Sequence, residues 1–348
     1  MAGIDALVVS PSPDLVYLVG YSAPQLERLT TLVVYAEGDP VLLVPTLERP
    51  RAAGSPAGEL VEIEAWRDEE DAFQRLRALL PRAVALAVSD RMWALHVLGI
   101  QAALPEAKML AASTVLSKLR ASKDQGEIDE LRRAARSADQ AFDRITEEAM
   151  AGRREADVAR SLREHLADTG SDEALFWIVG SGPNGASPHH EPGRRVIVDG
   201  DVIVLDFGGR AGGYCSDIIR TVSVGEPSSE VREVHQIVRT AQEAAFQAAR
   251  PGAPAEQVDR VARGVIEKAG YGDAFIHRTG HGIGLEEHEP PYIVRGNAAP
   301  LEPGMTFSIE PGIYLAGRFG VRIEDIVAVT EDGAVRLNKA PRDLLVVD

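Results

Sequence analysis

Cys215 is the only cysteine in 348 residues, so no intramolecular disulfide can form and a thiolate zinc centre is excluded. Positive charge is in deficit. Against 53 Asp and Glu stand 37 Lys and Arg, a formal net charge of -16. Nucleic acid and anionic membrane need a positive face, so neither is expected as a partner. No apolar run reaches transmembrane length, and no basic segment followed by an apolar stretch opens the chain. Short repeats and low-complexity segments are missing as well. What remains, 45% hydrophobic and 26% charged, is the composition of a cytoplasmic enzyme or binding protein with chain enough for one large or two ordinary domains.

The first third alternates strand and helix patterns. "DALVVS", "LVYLVG", "TTLVVYAEGDPVLLVP", "ELVEIEAW" and "VALAVSD" read as strands, the third with a hairpin turn at Gly38-Asp39-Pro40. "DAFQRLRALLP" and "MWALHVLGIQAALP" read as helices ended by proline. This mixed α/β domain, residues 1–116, holds no histidine cluster and no glycine-rich phosphate loop. From 117 to 348 helices (127–150, 155–168) precede glycine-rich strands (176–221). Helices (229–249, 256–269) and strands then follow again, an α+β domain with a pattern of internal duplication.

Acidic residues inside apolar strands carry the chemistry. In "DVIVLDFGGRAGGYCSDIIRTVSVG" a turn centred on Ala211-Gly212 sets Asp206 directly across from Asp217, roughly 5 Å apart. Two carboxylates so placed repel unless a cation lies between them. The alternative is a slipped register with both facing solvent. "MTFSIEPGIYLAGRFGVRIEDIVAVT" repeats the oddity, with Glu310 and Glu324 equidistant from Gly317. Arg322 lies on the face of Glu324; an ordinary surface ion pair is the alternative, weakened by the recurrence of four acids in two hairpins beside a histidine cluster. Four negative charges match two divalent cations, with a neutral imidazole as a further ligand. Oxygen-rich ligation of that kind favours Mn²⁺ or a related ion. Two such ions activate water for hydrolysis.

"HRTGHGIGLEEHEPP", residues 277–291, concentrates His277, His281 and His288 among glycines, in a chain with 8 histidines. With "LRASKDQGEIDELRRAA", "IVGSGPNGASPHH", "GMTFSIEPGIY" and "VRIEDIVAVT", this stretch resembles the proline-specific branch of the pita-bread metallopeptidases, the Xaa-Pro dipeptidases (prolidases) and aminopeptidase P. The resemblance covers residues 117–340. It implies a creatinase-like N-terminal domain, a pita-bread catalytic domain and a homodimer. It further implies two divalent metal ions, Mn²⁺ first with Co²⁺ or Zn²⁺ as alternatives, on Asp206, Asp217, His281, Glu310 and Glu324. His189 then stabilises the tetrahedral intermediate, Glu310 shuttles the proton, and His288 lies near the substrate carbonyl. His277, Arg322 and Tyr214 contact substrate. The glycines would let the backbone approach the ions.

The expected reaction is hydrolysis of the Xaa-Pro bond, in dipeptides first and in longer peptides as the alternative. A dipeptidase needs a cation for the proline carboxylate. Arg322 is one candidate, and Arg49 and Arg51, on a loop after the "VLLVP" strand, are others. A metal-free creatinase-like hydrolase or an inactive binding module would be expected to have lost ligands that are all present here. His96, His165 and His235 read as surface or partly buried helix residues, and Cys215 as a small core residue.

Overall fold

The computed structural model describes residues 3–348, which divide into two compact units after Arg120. In the first, six strands form one mixed sheet in the spatial order Glu62–Trp66, Val41–Pro45, Thr31–Tyr35, Ala6–Val9, Ala85–Val88, Lys108–Ala111. Val8 and Leu43 point to one face of the sheet, Leu7 and Leu42 to the other, and each face carries its own apolar cluster. One expected strand is a helix. "LVYLVG" lies in Pro13–Val19, which begins at Ser12-Pro13 and stops at Gly20, whose φ of 66° lets its N–H return to the Val16 carbonyl. Leu15 and Val19 then share one buried face at i, i+4. Arg49 and Arg51 do not stand on an irregular loop. A 3₁₀ turn and the short helix Arg49–Ala53 carry them, both exposed.

The second unit has the helix-then-strand order twice. Helix Gln125–Thr146 opens on a capping box, with Asp124 accepting from the Glu127 N–H and Glu127 accepting from the Asp124 N–H. With Glu155–Asp168 it packs Ala138, Phe142, Val158 and Leu162 against the sheet of Glu173–Ser181, Val202–Ala211, Ile218–Val224 and Leu345–Val347. Helices Ser229–Ala248 and Ala255–Lys268 likewise bury Val234, Val238, Val258 and Ile266 against strands that include Thr306–Ile309 and Asp325–Thr330. Gly312–Leu315 and Phe319–Arg322 form a separate two-stranded ribbon. The two halves touch at an isolated bridge between Ile219 and Glu324. Among the described residues no helix is long and apolar enough to cross a membrane.

Candidate active site

The hairpin carrying Asp206 and Asp217 turns one residue later than expected. Gly212 and Gly213 both take positive φ, 58° and 88°, and Ala211 pairs with Tyr214. Asp206 therefore lies across from Ile219, between Ile178 and Ile219 in a row of strand partners. Asp217 is its diagonal neighbour, not its direct partner. A two-residue offset keeps both on the same face, and both line one cavity of about 770 Å³. Glu310 and Glu324 fall where the strand pairing is interrupted: the Glu310 N–H goes to the Thr279 carbonyl and the Glu324 N–H to the Ile219 carbonyl. The ladders on either side share one register, with Ile309 opposite Asp325 and Gly312 opposite Arg322, so the two glutamates occupy matching positions in the interval. They line the same cavity.

His281 stands on the strand Gly280–Gly282, wedged between two others. The reason for its glycines differs from the expectation. A Cβ on Gly280 would lie 1.9 Å from the Ser308 carbonyl oxygen, and one on Gly282 would lie 2.4 Å from the carbonyl oxygens of Glu289 and Pro290. The glycines admit neighbouring strands. His281 Nδ1 donates to the Gly282 carbonyl (3.1 Å), so Nε2 is left with its lone pair, 3.3 Å from Glu310 Oε1 and 3.7 Å from Asp217 Oδ2. Ser308 Oγ accepts the His281 N–H (3.0 Å) and donates to Glu310 Oε1 (3.1 Å), which fixes two of the proposed ligands at once.

The donor set fits cations. Ligand atoms of Asp217, His281 and Glu324 lie within 4.8 Å of one another. Both carboxylate oxygens of Glu324, and Oδ1 of Asp217, are buried without a hydrogen-bond partner. Buried charge without a partner is strongly unfavourable unless something positive is coordinated there. Burial, and then the charges of neighbouring carboxylates (Asp206 and Glu310 for Asp217; Asp217, Glu310 and Asp206 for Glu324), push both well above the ordinary carboxylate range. Burial raises Asp206 to about 6, opposed by Arg322. Burial lowers His281 and His288 to about 4, which keeps both imidazoles neutral at neutral pH.

Arg322 is no surface residue. It is buried and ion-paired to Asp206, and its other donors reach Tyr314 Oη (3.2 Å) and the Pro188 carbonyl (3.2 Å). His277 Nδ1 donates to the Arg278 carbonyl (2.7 Å), and its Nε2 accepts from Tyr314 Oη (2.8 Å). The His288 ring centre lies 3.8 Å from that of His281. His189 is exposed and lines the cavity. His190 instead bonds Glu155 (2.8 Å), a fully buried carboxylate that also accepts from Ser181, Asn184 and Gly193. That knot holds the turn on which His189 stands.

Tyr214 is not brought to this site. Its hydroxyl donates to Glu127 Oε1 (2.8 Å), and it does not line the cavity. Arg49 belongs to the first unit. Cys215 is buried among Leu131, Ile283 and Ile326, and burial pushes its thiol up to about 12, the behaviour of a core residue. His96 and His235 are more buried than their helical positions suggested. Ser308, Tyr314, Glu155 and Arg278 were not singled out from the sequence. Each acts through a partner that local pattern does not reveal.

Comparison with known proteins bears on the family. The profile of metallopeptidase family M24 matches residues 129–331, and that of the creatinase/prolidase N-terminal domain matches 1–122. A probable dipeptidase, PepE of Mycobacterium bovis, is 50% identical over 99% of this chain and 93% of its own length. The crystal structure of dipeptidase PepE from Mycobacterium ulcerans superposes with a TM-score of 0.96 at 46% identity, covering 99% of this chain and 94% of that one. A recombinant prolidase from Thermococcus sibiricus gives 0.93 at 40% identity, with coverage of 99% and 95%.

Proposed function

Because the chain belongs to metallopeptidase family M24, with the creatinase/prolidase N-terminal domain and pita-bread catalytic fold, we propose that it hydrolyses the Xaa-Pro bond of dipeptides. The site would hold two divalent cations, Mn²⁺ in first place, on Asp206, Asp217, His281, Glu310 and Glu324. One observation carries this reading: Oδ1 of Asp217 and both carboxylate oxygens of Glu324, buried without a partner, lie beside a neutral imidazole in an open cavity. When bound, the cations supply Lewis-acid polarisation of the scissile carbonyl and a water that ionises near neutral pH.

The remaining work falls to side chains. Glu310, oriented by Ser308, is the proton carrier: it takes the proton of the attacking water and returns it to the proline nitrogen as that bond breaks. His189 donates to the oxyanion that develops on the carbonyl oxygen. His288 accepts from Arg278 at Nδ1 and so carries its proton on Nε2, where it can donate to substrate. The free α-amine of the first residue sits against the acidic wall, and a peptide is thereby cut after its first residue. The dipeptide preference is supported by the names of the relatives, a dipeptidase and a prolidase, which align over nearly the whole chain.

The test compares Ala-Pro with Ala-Pro-Ala on Mn²⁺-loaded protein. The expected result is faster cleavage of Ala-Pro. Faster tripeptide cleavage would move the protein to the aminopeptidase P class, and cleavage of neither would remove the Xaa-Pro reading.

A further inference from the structure

Two arginines line the cavity, and they are engaged differently. Arg322 already has a counter-charge: it is ion-paired to Asp206 and donates to Tyr314 Oη and the Pro188 carbonyl, with its Nε left without a partner. Arg278 has no carboxylate within ion-pair distance among the described residues. Its guanidinium lies 4.5 Å from the Tyr292 ring centre, and Nη2 donates to His288 Nδ1 at 3.3 Å. It is half-buried, so part of its fork is open to the cavity. Stacking on an aromatic ring restricts the plane of a guanidinium without using its outer donors. A cation seated at the wall of a substrate cavity, with no carboxylate in ion-pair distance among the described residues, is a binding site for an anion.

We propose that Arg278 receives the C-terminal carboxylate of the dipeptide and thereby sets the chain length that the enzyme accepts. This rests on the Xaa-Pro dipeptidase reading above. The span is right. In an Xaa-Pro dipeptide the carboxylate carbon is three bonds from the scissile carbon, which places its oxygens about 3–5 Å away. Arg278 touches His288, and His288 packs on the ligand candidate His281 at 3.8 Å, so the cation is one imidazole removed from the reacting centre. A tripeptide brings a neutral amide to this point and has to lead its chain past the guanidinium. Charge-assisted, bidentate recognition is lost for the longer substrate and kept for the dipeptide.

The experiment measures kcat/KM for Ala-Pro and for its amide, Ala-Pro-NH₂, on Mn²⁺-loaded wild type, Arg278→Met and Arg278→Lys. Wild type is expected to favour the acid by roughly 10–100-fold, the range of a charge-assisted contact. In Arg278→Met the ratio falls towards one, through a raised KM for Ala-Pro. Arg278→Lys keeps the charge but not the fork, and retains part of the discrimination. A Met variant that still favours the acid as wild type does overturns the proposal, because another cation then holds the carboxylate. An equal loss on both substrates, in kcat rather than KM, also overturns it and makes Arg278 a positioning residue for His288. A wild type that cleaves neither substrate removes the dipeptidase reading and the anchor with it, a result distinct from the other two.

Discussion

Replacing Asp217 by Asn should stabilise the metal-free protein and destabilise the metal-loaded one. In the absence of cations the site holds Asp206, Asp217, Glu310 and Glu324 around one cavity, with Arg322 as the buried counter-charge. Asp206 shows the scale. Burial raises it from 3.8 to about 6, a shift of about two units, and at ~1.4 kcal/mol per unit this opposes the metal-free fold by about 3 kcal/mol at neutral pH. The coupling to its neighbours makes that a property of the cluster. The direction in pH follows from the protons. An unfolded Asp ionises near ~4, while the folded one keeps its proton to about 6. Between those values the folded state binds more protons, so metal-free stability falls as pH rises through this window. Asp217 and Glu324, also raised by burial and neighbouring carboxylates, act in the same direction.

Asn at 217 keeps the shape of the side chain and removes one of the repelling charges. We expect the metal-free variant to gain on the order of 1–3 kcal/mol at pH about 8, or roughly 2–10 °C in Tm for a unit of this size. Saturating Mn²⁺, at about a thousand times its Kd, should add about 4 kcal/mol to wild type and far less to the variant. The two melting curves therefore exchange order between chelator and MnCl₂, which scanning calorimetry reads directly. A variant that melts below wild type in chelator, and shows the full Mn²⁺-induced shift, would refute the placement of Asp217 in a cation site.

Two further outcomes are expected. His189→Ala should retain the Mn²⁺-induced shift in Tm while losing roughly 10²–10³ in kcat, the usual cost of one oxyanion donor; an unchanged kcat at saturating Ala-Pro would take His189 out of the reaction. Activity should fall on the acid side of neutrality, and the structure moves the cause away from His281, since burial keeps that imidazole neutral down to about 4. Protons compete with cations for Asp206, near 6, and for Asp217 and Glu324, which burial also raises, so metal affinity titrated by calorimetry should weaken together with the rate as pH falls through this region. A rate that declines while metal affinity stays constant would assign the acid limb elsewhere.

The acids were legible because each breaks a local rule: a carboxylate in a run of Val, Ile and Leu needs a reason, and four of them in two hairpins share one. The register was legible only to within a residue. Either Ala211-Gly212 or Gly212-Gly213 can centre the turn, and only the backbone shows that both glycines take positive φ. A shift of one position exchanges direct opposition for a diagonal, yet Asp206 and Asp217 still share a face. The helix Pro13–Val19 has an apolar run that also fits a buried strand, while its Ser-Pro start and Gly stop are helix signals. The supporting residues were not legible at all. Tyr314 reaches His277 across 37 positions and Glu155 reaches His190 across 35, and nothing in the intervening sequence pairs them. Arg278 sits inside the histidine motif, but its contacts with His288 and Tyr292 exist only in the fold.

Repelling acids can be kept together only by a frame that does not depend on them. Glu324 and Asp325 are adjacent, and strand alternation sends one into the cavity and the other out through the opposite face. There Asp325 pairs with the buried Arg220 at 2.7 Å and accepts from Gln242 at 3.0 Å. The remaining Arg220 donors reach the carbonyls of Ile219 (2.9 Å), Glu324, Ala340 (2.9 Å) and Pro341 (2.8 Å). One guanidinium thus holds both sides of the Ile219–Glu324 bridge where the two halves of the catalytic unit meet. Backbone bonds and this clamp set the positions of Asp217 and Glu324 without using any of their side-chain oxygens. The carboxylates stay free for a cation, and the free energy that opposes their proximity is available to strengthen its binding.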